Sequence, residues 1–161
     1  MAKEVVIYTD GGSLGNPGPG GWGVVLKSGE YRKELSGGFR YTTNNRMEIT
    51  AAIEGLKALK EPCKVTLYSD SQYLVNAMMQ GWALKWQMNG WMRNKKDRAL
   101  NPDLWEVLLD LSYTHEVTFV WVKGHAGIAE NEYCDILSKT AAKTPNQPAD
   151  IVYEKECGRS A

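Results

Sequence analysis

Two apolar runs that each stop at an aspartate restrict the fold of this chain more tightly than any other feature. Val5-Val6-Ile7-Tyr8-Thr9 ends at Asp10, and Val65-Thr66-Leu67-Tyr68-Ser69 ends at Asp70. Thr43-Asn44-Asn45-Arg46-Met47-Glu48 lies between them and opens a strongly periodic helix. If the runs are neighbouring parallel strands joined by a right-handed crossover through that helix, both Asp side chains emerge at one sheet edge. Clustered carboxylates repel one another and resist desolvation unless a cation joins them. The spacing therefore points to a divalent metal site.

The rest of the chain can be read around these runs. Val5 to Tyr8 is apolar on both faces, as in a central strand. The stretch after Asp10 holds Gly11, Gly12, Gly15, Gly18, Gly20 and Gly21 with Pro17 and Pro19, and cannot be helix. Trp22 to Lys27 and Tyr31 to Gly38 read as strands joined through Ser28-Gly29-Glu30. A helix comes next, from Asn45 to about Lys60, with Asn44 as N-cap and Ile49, Ala52, Ile53, Leu56 and Leu59 as its apolar stripe. Ser71 to Gln80 and Pro102 to Leu111 read as further helices, the second capped by Asn101 with Pro102 in its first turn. Val117 to Val122 reads as a last buried strand. Ala129 to Ala142 reads as a final helix with Ala129, Tyr133, Ile136, Leu137 and Thr140 inward. Pro145 and Pro148 break regularity beyond Lys143, so residues 144–161 are expected to form a loosely held tail on a domain spanning 1–143. The fold class is α/β (α+β): a five-stranded mixed sheet flanked by helices.

Bulk properties exclude several function classes. The 161 residues suffice for one domain with its own core. Lys and Arg balance Asp and Glu at 19 each, so any affinity for a polyanion must come from a local patch. Cys63, Cys134 and Cys157 lack metal-ligand spacing and read as reduced thiols of a cytosolic protein. No apolar stretch is long enough to span a bilayer, and the expected location is cytoplasmic.

Each candidate feature also has an ordinary explanation. Asp70 alone would be an N-cap for the helix from Ser71, Glu48 a first-turn acid favoured by the helix dipole, and Asp135 a solvated residue flanked by Asn131, Ser138 and Lys139. The shared geometry of Asp10 and Asp70 is what sets these explanations aside. An oxygen-only donor set suits Mg²⁺ or Mn²⁺, and two such ions about 4 Å apart support phosphodiester hydrolysis. Gly15-x-x-Gly18-x-Gly20 resembles a dinucleotide fingerprint, but it runs into a strand, where it cannot present amides to a pyrophosphate. Trp82, Trp86 and Trp91 beside Lys85, Arg93, Lys95, Lys96 and Arg98 interleave aromatics with cations, as a nucleic-acid groove requires. The spacing of Trp82 and Trp86 is equally that of core packing. His125, between Gly124 and Gly127 and next to the acidic site, is a candidate proton carrier. His115 has no such setting and reads as structural.

Together these motifs resemble type 1 ribonuclease H of the bacterial stand-alone kind. The likeness rests on Tyr8-Thr9-Asp10-Gly11-Gly12-Ser13, Gly15-Asn16-Pro17-Gly18-Pro19-Gly20-Gly21, Thr43-Asn44-Asn45-Arg46-Met47-Glu48, Tyr68-Ser69-Asp70-Ser71, and Val122-Lys123-Gly124-His125-Ala126-Gly127 followed by Asn131-Glu132 and Asp135. It implies the ribonuclease H-like fold and an endonuclease that cuts the RNA strand of RNA–DNA hybrids to 3′-hydroxyl and 5′-phosphate ends. By that resemblance Asp10, Glu48, Asp70 and Asp135 hold two Mg²⁺ ions, with Mn²⁺ a possible substitute, and His125 assists proton transfer or product release. Gly11, Asn16, Asn44, Asn45 and Gln72 match positions near the hybrid's minor groove, where 2′-hydroxyls distinguish RNA. Thr43 matches a DNA-strand phosphate position. Trp82, Lys85, Trp86, Trp91, Lys95 and Lys96 match a basic substrate handle. Gln87-Met88-Asn89-Gly90 departs from that handle, since relatives often carry basic residues there. A monomer is expected, and the lack of a bilayer-spanning apolar stretch gives the expectation of no membrane association. The main rival is a non-catalytic hybrid-binding module, which would bind without turnover. A DNA-cutting nuclease of the same fold and a Ca²⁺-stabilised structural protein are the other rivals.

Overall fold

The computed structural model describes residues 3–158. Five strands form one mixed sheet in the order β3-β2-β1-β4-β5. They are β1 (Lys3–Ser13), β2 (Gly18–Ser28), β3 (Tyr31–Thr42), β4 (Cys63–Ser69) and β5 (Glu116–Trp121). The antiparallel β1-β2-β3 meander turns at Gly29, whose φ of 60° suits glycine at a tight hairpin. β1 pairs with β4, and β4 with β5, in parallel. The helices are α1 (Asn44–Lys57), α2 (Gln72–Met79), α3 (Trp82–Met88), α4 (Pro102–Thr114), α5 (Ala129–Lys143) and α6 (Ile151–Glu156).

Alternation along β2 places helices on both faces of the sheet. A side chain at Gly20 would meet Thr42 and Met47 on the α1 side, whereas one at Gly21 would meet Ser138 and Ala142 of α5. α1 buries Ile49, Ala52, Ile53 and Leu56 of the anticipated stripe, and Gly55 seats it on Ile7 and Val24. Burying each of Ile49, Ile53 and Leu56 contributes about 1.5–3 kcal/mol. Trp105 of α4 is fully buried, with Tyr73 and Trp86 edge-on at 5.4 and 6.1 Å between ring centroids.

Several local expectations give way to tertiary packing. Thr43, not Asn44, caps α1, its hydroxyl accepting from the Arg46 amide at 3.2 Å. Asn101 precedes α4 in a left-handed conformation without a side-chain cap, because its Oδ1 accepts from Arg46 instead. β5 is an edge strand in which only Phe119 is buried. α5 turns Cys134, Ser138, Ala141 and Ala142 inward, leaving Ala129, Ile136 and Thr140 exposed. Gly21 and Gly23 bring the α5 backbone so close to the sheet that only small side chains fit beneath it.

The segment after Lys143, expected to trail loosely, is held as far as the described residues go. Asp150 is buried and accepts from Thr42 Oγ1 at 2.7 Å and from Arg46 Nε and Nη2 at 2.7 and 3.0 Å. The same guanidinium donates to Asp103 at 2.7 and 3.0 Å. Arg40 pairs with Glu154 of α6 at 2.9 Å. The partners of Asp150 and Glu154 lie more than 100 residues away in the chain, so no local pattern announces them. Cys63, Cys134 and Cys157 are all free. No helix among the described residues is long and apolar enough to cross a membrane.

Candidate active site

The β1–β4 register carries the first two carboxylates to one place. Tyr8 pairs with Tyr68, their rings stacked 5.1 Å apart, so Asp10 and Asp70 follow in step two residues on. β1 itself continues past Asp10 to Ser13. Asp70 is not spent as a helix cap, because Ser71 caps α2 by accepting from the Leu74 amide. Glu48 arrives from α1 because Gly11 admits that helix: a Cβ there would lie 2.4 Å from the Met47 carbonyl carbon and 2.7 Å from the Glu48 amide. Oxygens of Asp10, Glu48 and Asp70 thus lie within 4.8 Å of one another.

The electrostatics of this group call for a cation. Glu48 is buried, and its Oε1 has no hydrogen-bond partner. Burial above all, then the charges of Asp10 and Asp70, holds its carboxyl well above the ordinary range. Burial and the neighbouring Asp70 push Asp10 up to about 8, against a single opposing hydrogen bond from the Gly11 amide at 2.9 Å. A divalent ion would satisfy the orphaned oxygen and neutralise the mutual repulsion. The hard oxygen donor set fits such an ion.

Asp135 of α5 borders the same cleft as Asp10 and Asp70 and raises Asp10 further. It lies outside the tight trio and is paired with Lys139 at 3.0 Å. His125 sits in the loop before α5, exposed, at a φ of 56°. Its Nδ1 is 3.5 Å from Glu132 Oε2. Both residues line the cleft, together with Thr9, Gly124 and Asn131. Sequence reasoning passed over Trp121, whose indole N–H donates to the Asp70 carbonyl at 3.0 Å from the neighbouring strand. It also gave no role to Glu132. Only the tertiary pairings identify these two.

The residues matched to substrate contacts divide into separate structural groups. Asn16 Oδ1 accepts from the Asn44 amide at 3.0 Å, and Asn44 Oδ1 accepts from the Ser13 amide at 2.7 Å. Gly11, Asn16, Thr43 and Asn44 therefore knit the β1–β2 loop to the start of α1. Asn45 and Gln72 are exposed at the starts of α1 and α2. In the handle, Trp82 is 42% exposed and Lys85, Lys95 and Lys96 face solvent. Trp86 is buried against Trp105 and Trp82, so it anchors α3 to the core instead of presenting a surface. Trp91 is half-buried and accepts from the Ala99 amide through its carbonyl at 2.9 Å, which closes the basic loop.

Comparison with known proteins decides the family. Residues 2–143 match the RNase H family model. The chain belongs to the ribonuclease H family. The ribonuclease H of Syntrophus aciditrophicus is 67% identical over 151 residues, 94% of this chain and 87% of that protein. The ribonuclease H of Rippkaea orientalis is 63% identical, covering 96% and 94%. Among solved structures, LC9-RNase H1, a type 1 RNase H, superposes with a TM-score of 0.81 at 32% identity over 99% of this chain and 82% of that one. LC11-RNase H1, solved in complex with an RNA/DNA hybrid, gives 0.66 at 26% identity over 86% and 96%. The expected ribonuclease H-like fold, with its five-stranded mixed sheet, is the fold observed.

Proposed function

We propose that this ribonuclease H hydrolyses the RNA strand of RNA–DNA hybrids as a monomeric, Mg²⁺-dependent endonuclease, leaving 3′-hydroxyl and 5′-phosphate ends. The observation that carries the reading is the trio of Asp10, Glu48 and Asp70, with its orphaned Glu48 oxygen, inside a ribonuclease H fold. Asp10, Glu48, Asp70 and Asp135 would hold two Mg²⁺ ions. When bound, these supply Lewis acidity that activates water and stabilises charge on the phosphodiester.

The chain's own groups do the rest. The carboxylates, fixed by strands and helices, set the geometry within which the scissile phosphate must lie. His125, on its glycine-flanked loop, carries the proton owed to the departing 3′ oxygen or eases product release. Gly11, Asn16, Asn44, Asn45 and Gln72 face the minor groove and hydrogen-bond 2′-hydroxyls, while Thr43 meets a DNA-strand phosphate. Trp82, Lys85, Trp91, Lys95 and Lys96 form a handle that follows the backbone by charge and stacking. Trp86 supports that handle from within. Selectivity then follows from demanding 2′-hydroxyls on one strand only, without sequence readout.

One labelled RNA, offered as hybrid, as RNA duplex and single-stranded, tests this with Mg²⁺ or EDTA and with Asp10→Asn alongside. Cutting confined to the hybrid and lost with EDTA and in the variant is the expected result. Hybrid binding without cutting in either Mg²⁺ or Mn²⁺ would replace the enzyme with a binding module.

A further inference from the structure

One polar atom in the cleft has no role in the proposed hydrolysis. Asn131, in the first turn of α5, lines the cleft with Asp10, Asp70, His125, Glu132 and Asp135, and its side-chain Oδ1 is buried without a hydrogen-bond partner. Buried acceptors are nearly always satisfied, so this oxygen requires a donor. Most of its neighbours in the cleft cannot supply one. Asp10, Asp70, Glu132 and Asp135 offer only acceptors when ionised around a cation. The Thr9 hydroxyl is committed to the Tyr68 carbonyl at 2.9 Å. The one side-chain donor left among the lining residues is the His125 imidazole. Its Nδ1 faces Glu132 at 3.5 Å, which leaves Nε2 for the cleft. The space these residues enclose is about 10 Å³, enough to admit a water.

We infer that Asn131 is a positioning residue for the proton handled by His125, its Oδ1 accepting a hydrogen bond from a water seated in the cleft between the carboxamide and the imidazole. A carboxamide neither gains nor loses a proton here. The imidazolium gives its proton to the water, the water passes one to the departing 3′ oxygen, and the imidazole is reprotonated from solvent. A neutral acceptor suits this place. It orients the water without adding a fifth negative charge to the four carboxylates of the cleft, and its position in the first turn of α5 sets it beside Glu132, which holds the other side of the ring. The inference rests on the ribonuclease reading and on His125 as proton carrier.

The test is a double-mutant cycle on hybrid cleavage, using Asn131→Ala and the near-isosteric Asn131→Leu, each alone and combined with His125→Ala. Either Asn131 substitution should lower kcat about tenfold with KM within about twofold, a fraction of what general acid–base catalysis typically contributes. In the His125→Ala background the same substitutions should cost less than about twofold, because the partner is already gone. Melting temperature and calorimetric Mg²⁺ affinity should match the parent, and the imidazole ¹⁵N resonances of His125 should move. Losses that multiply independently in the two backgrounds overturn the inference, as does a drop in Mg²⁺ affinity or in melting temperature that accounts for the lost rate. A parent protein that binds the hybrid but never cuts it refutes the ribonuclease reading itself, and the inference falls with it.

Discussion

Substituting Gly21 by Ala should separate catalysis from folding, because it acts on one of the two close contacts that set the depth of α5. A Cβ at Gly21 would lie 2.1 Å from the Ser138 carbonyl oxygen and 2.7 Å from the Ala142 amide nitrogen. One at Gly23 would lie 2.6 Å from the Cys134 carbonyl oxygen. These are backbone atoms of a helix, which cannot rotate away as a side chain could. Restoring an ordinary separation of about 3.5 Å from the Ser138 oxygen requires α5 to withdraw by about 1.4 Å. Asp135 lies between those two points of approach and would move away from Asp10 with the helix. Overpacking of this kind costs about 1–3 kcal/mol. For a chain of this size that lowers Tm by roughly 2–12 °C. Misplacing a reacting group by about 1 Å costs around a hundredfold in rate. Gly29→Ala is the control: nothing lies within 4 Å of its Cβ, but its φ of 60° makes the substitution strained. Tm from circular dichroism and kcat on a labelled hybrid should show both variants destabilised, with kcat falling only in Gly21→Ala. Equal kcat in Gly21→Ala and the parent would refute the claim that the depth of α5 positions Asp135.

Three other perturbations have definite expected outcomes. In EDTA, the Asp10 carboxyl, raised from 3.8 to about 8, contributes stability that is full below its unfolded value and lost as pH rises through 8. The Tm advantage of Asp10→Asn over the parent should therefore widen from pH 4 to pH 8, and saturating Mg²⁺ should reverse it by stabilising the parent alone. His115 is buried, its Nδ1 accepting from the Cys63 amide at 3.0 Å, and burial depresses its pKa below 6.5. Its neutral form stabilises the fold above that value, so urea titrations should show the parent losing its margin over His115→Asn as pH falls below 6.5. Asp150→Ala removes three hydrogen bonds from a buried cluster and leaves the Arg46 guanidinium with Asp103 and Asn101. Breaking such a buried pair costs about 3 kcal/mol, a fall of roughly 6–12 °C in Tm by thermal melting. An unchanged Tm would show that the Asp150 cluster contributes nothing to the fold.

Much of the site is visible in the linear chain because its determinants are local. An apolar run stopping at an aspartate marks a strand end, and a second such run in parallel register brings its aspartate alongside. The 3.6-residue period beginning near Glu48 marks a helix whatever surrounds it. The misreadings concern competition between partners. Asn44 is as good a cap as Thr43 on propensity, but the Ser13 amide claims its side chain. Trp82 and Trp86 share one helical face, and only the presence of Trp105 decides which is buried. Ile136 looks like a core residue until Gly21 and Gly23 bring the backbone of α5 too near to accommodate it.

The sequence by itself determined the order of the five strands and of the helices α1, α2, α4 and α5, the five-stranded class of fold, and the candidate carboxylates, since each follows from patterns spanning fewer than about twenty residues, whereas α3 and α6 were not read as helices. Only the tertiary structure decided how close those carboxylates stand, that Glu48 keeps an unpartnered oxygen, that Asn131 and His125 line one cleft, and that Arg46 fastens the C-terminal segment. These properties depend on backbone approach and on hydrogen bonds between residues distant in sequence, and local propensity carries no record of either.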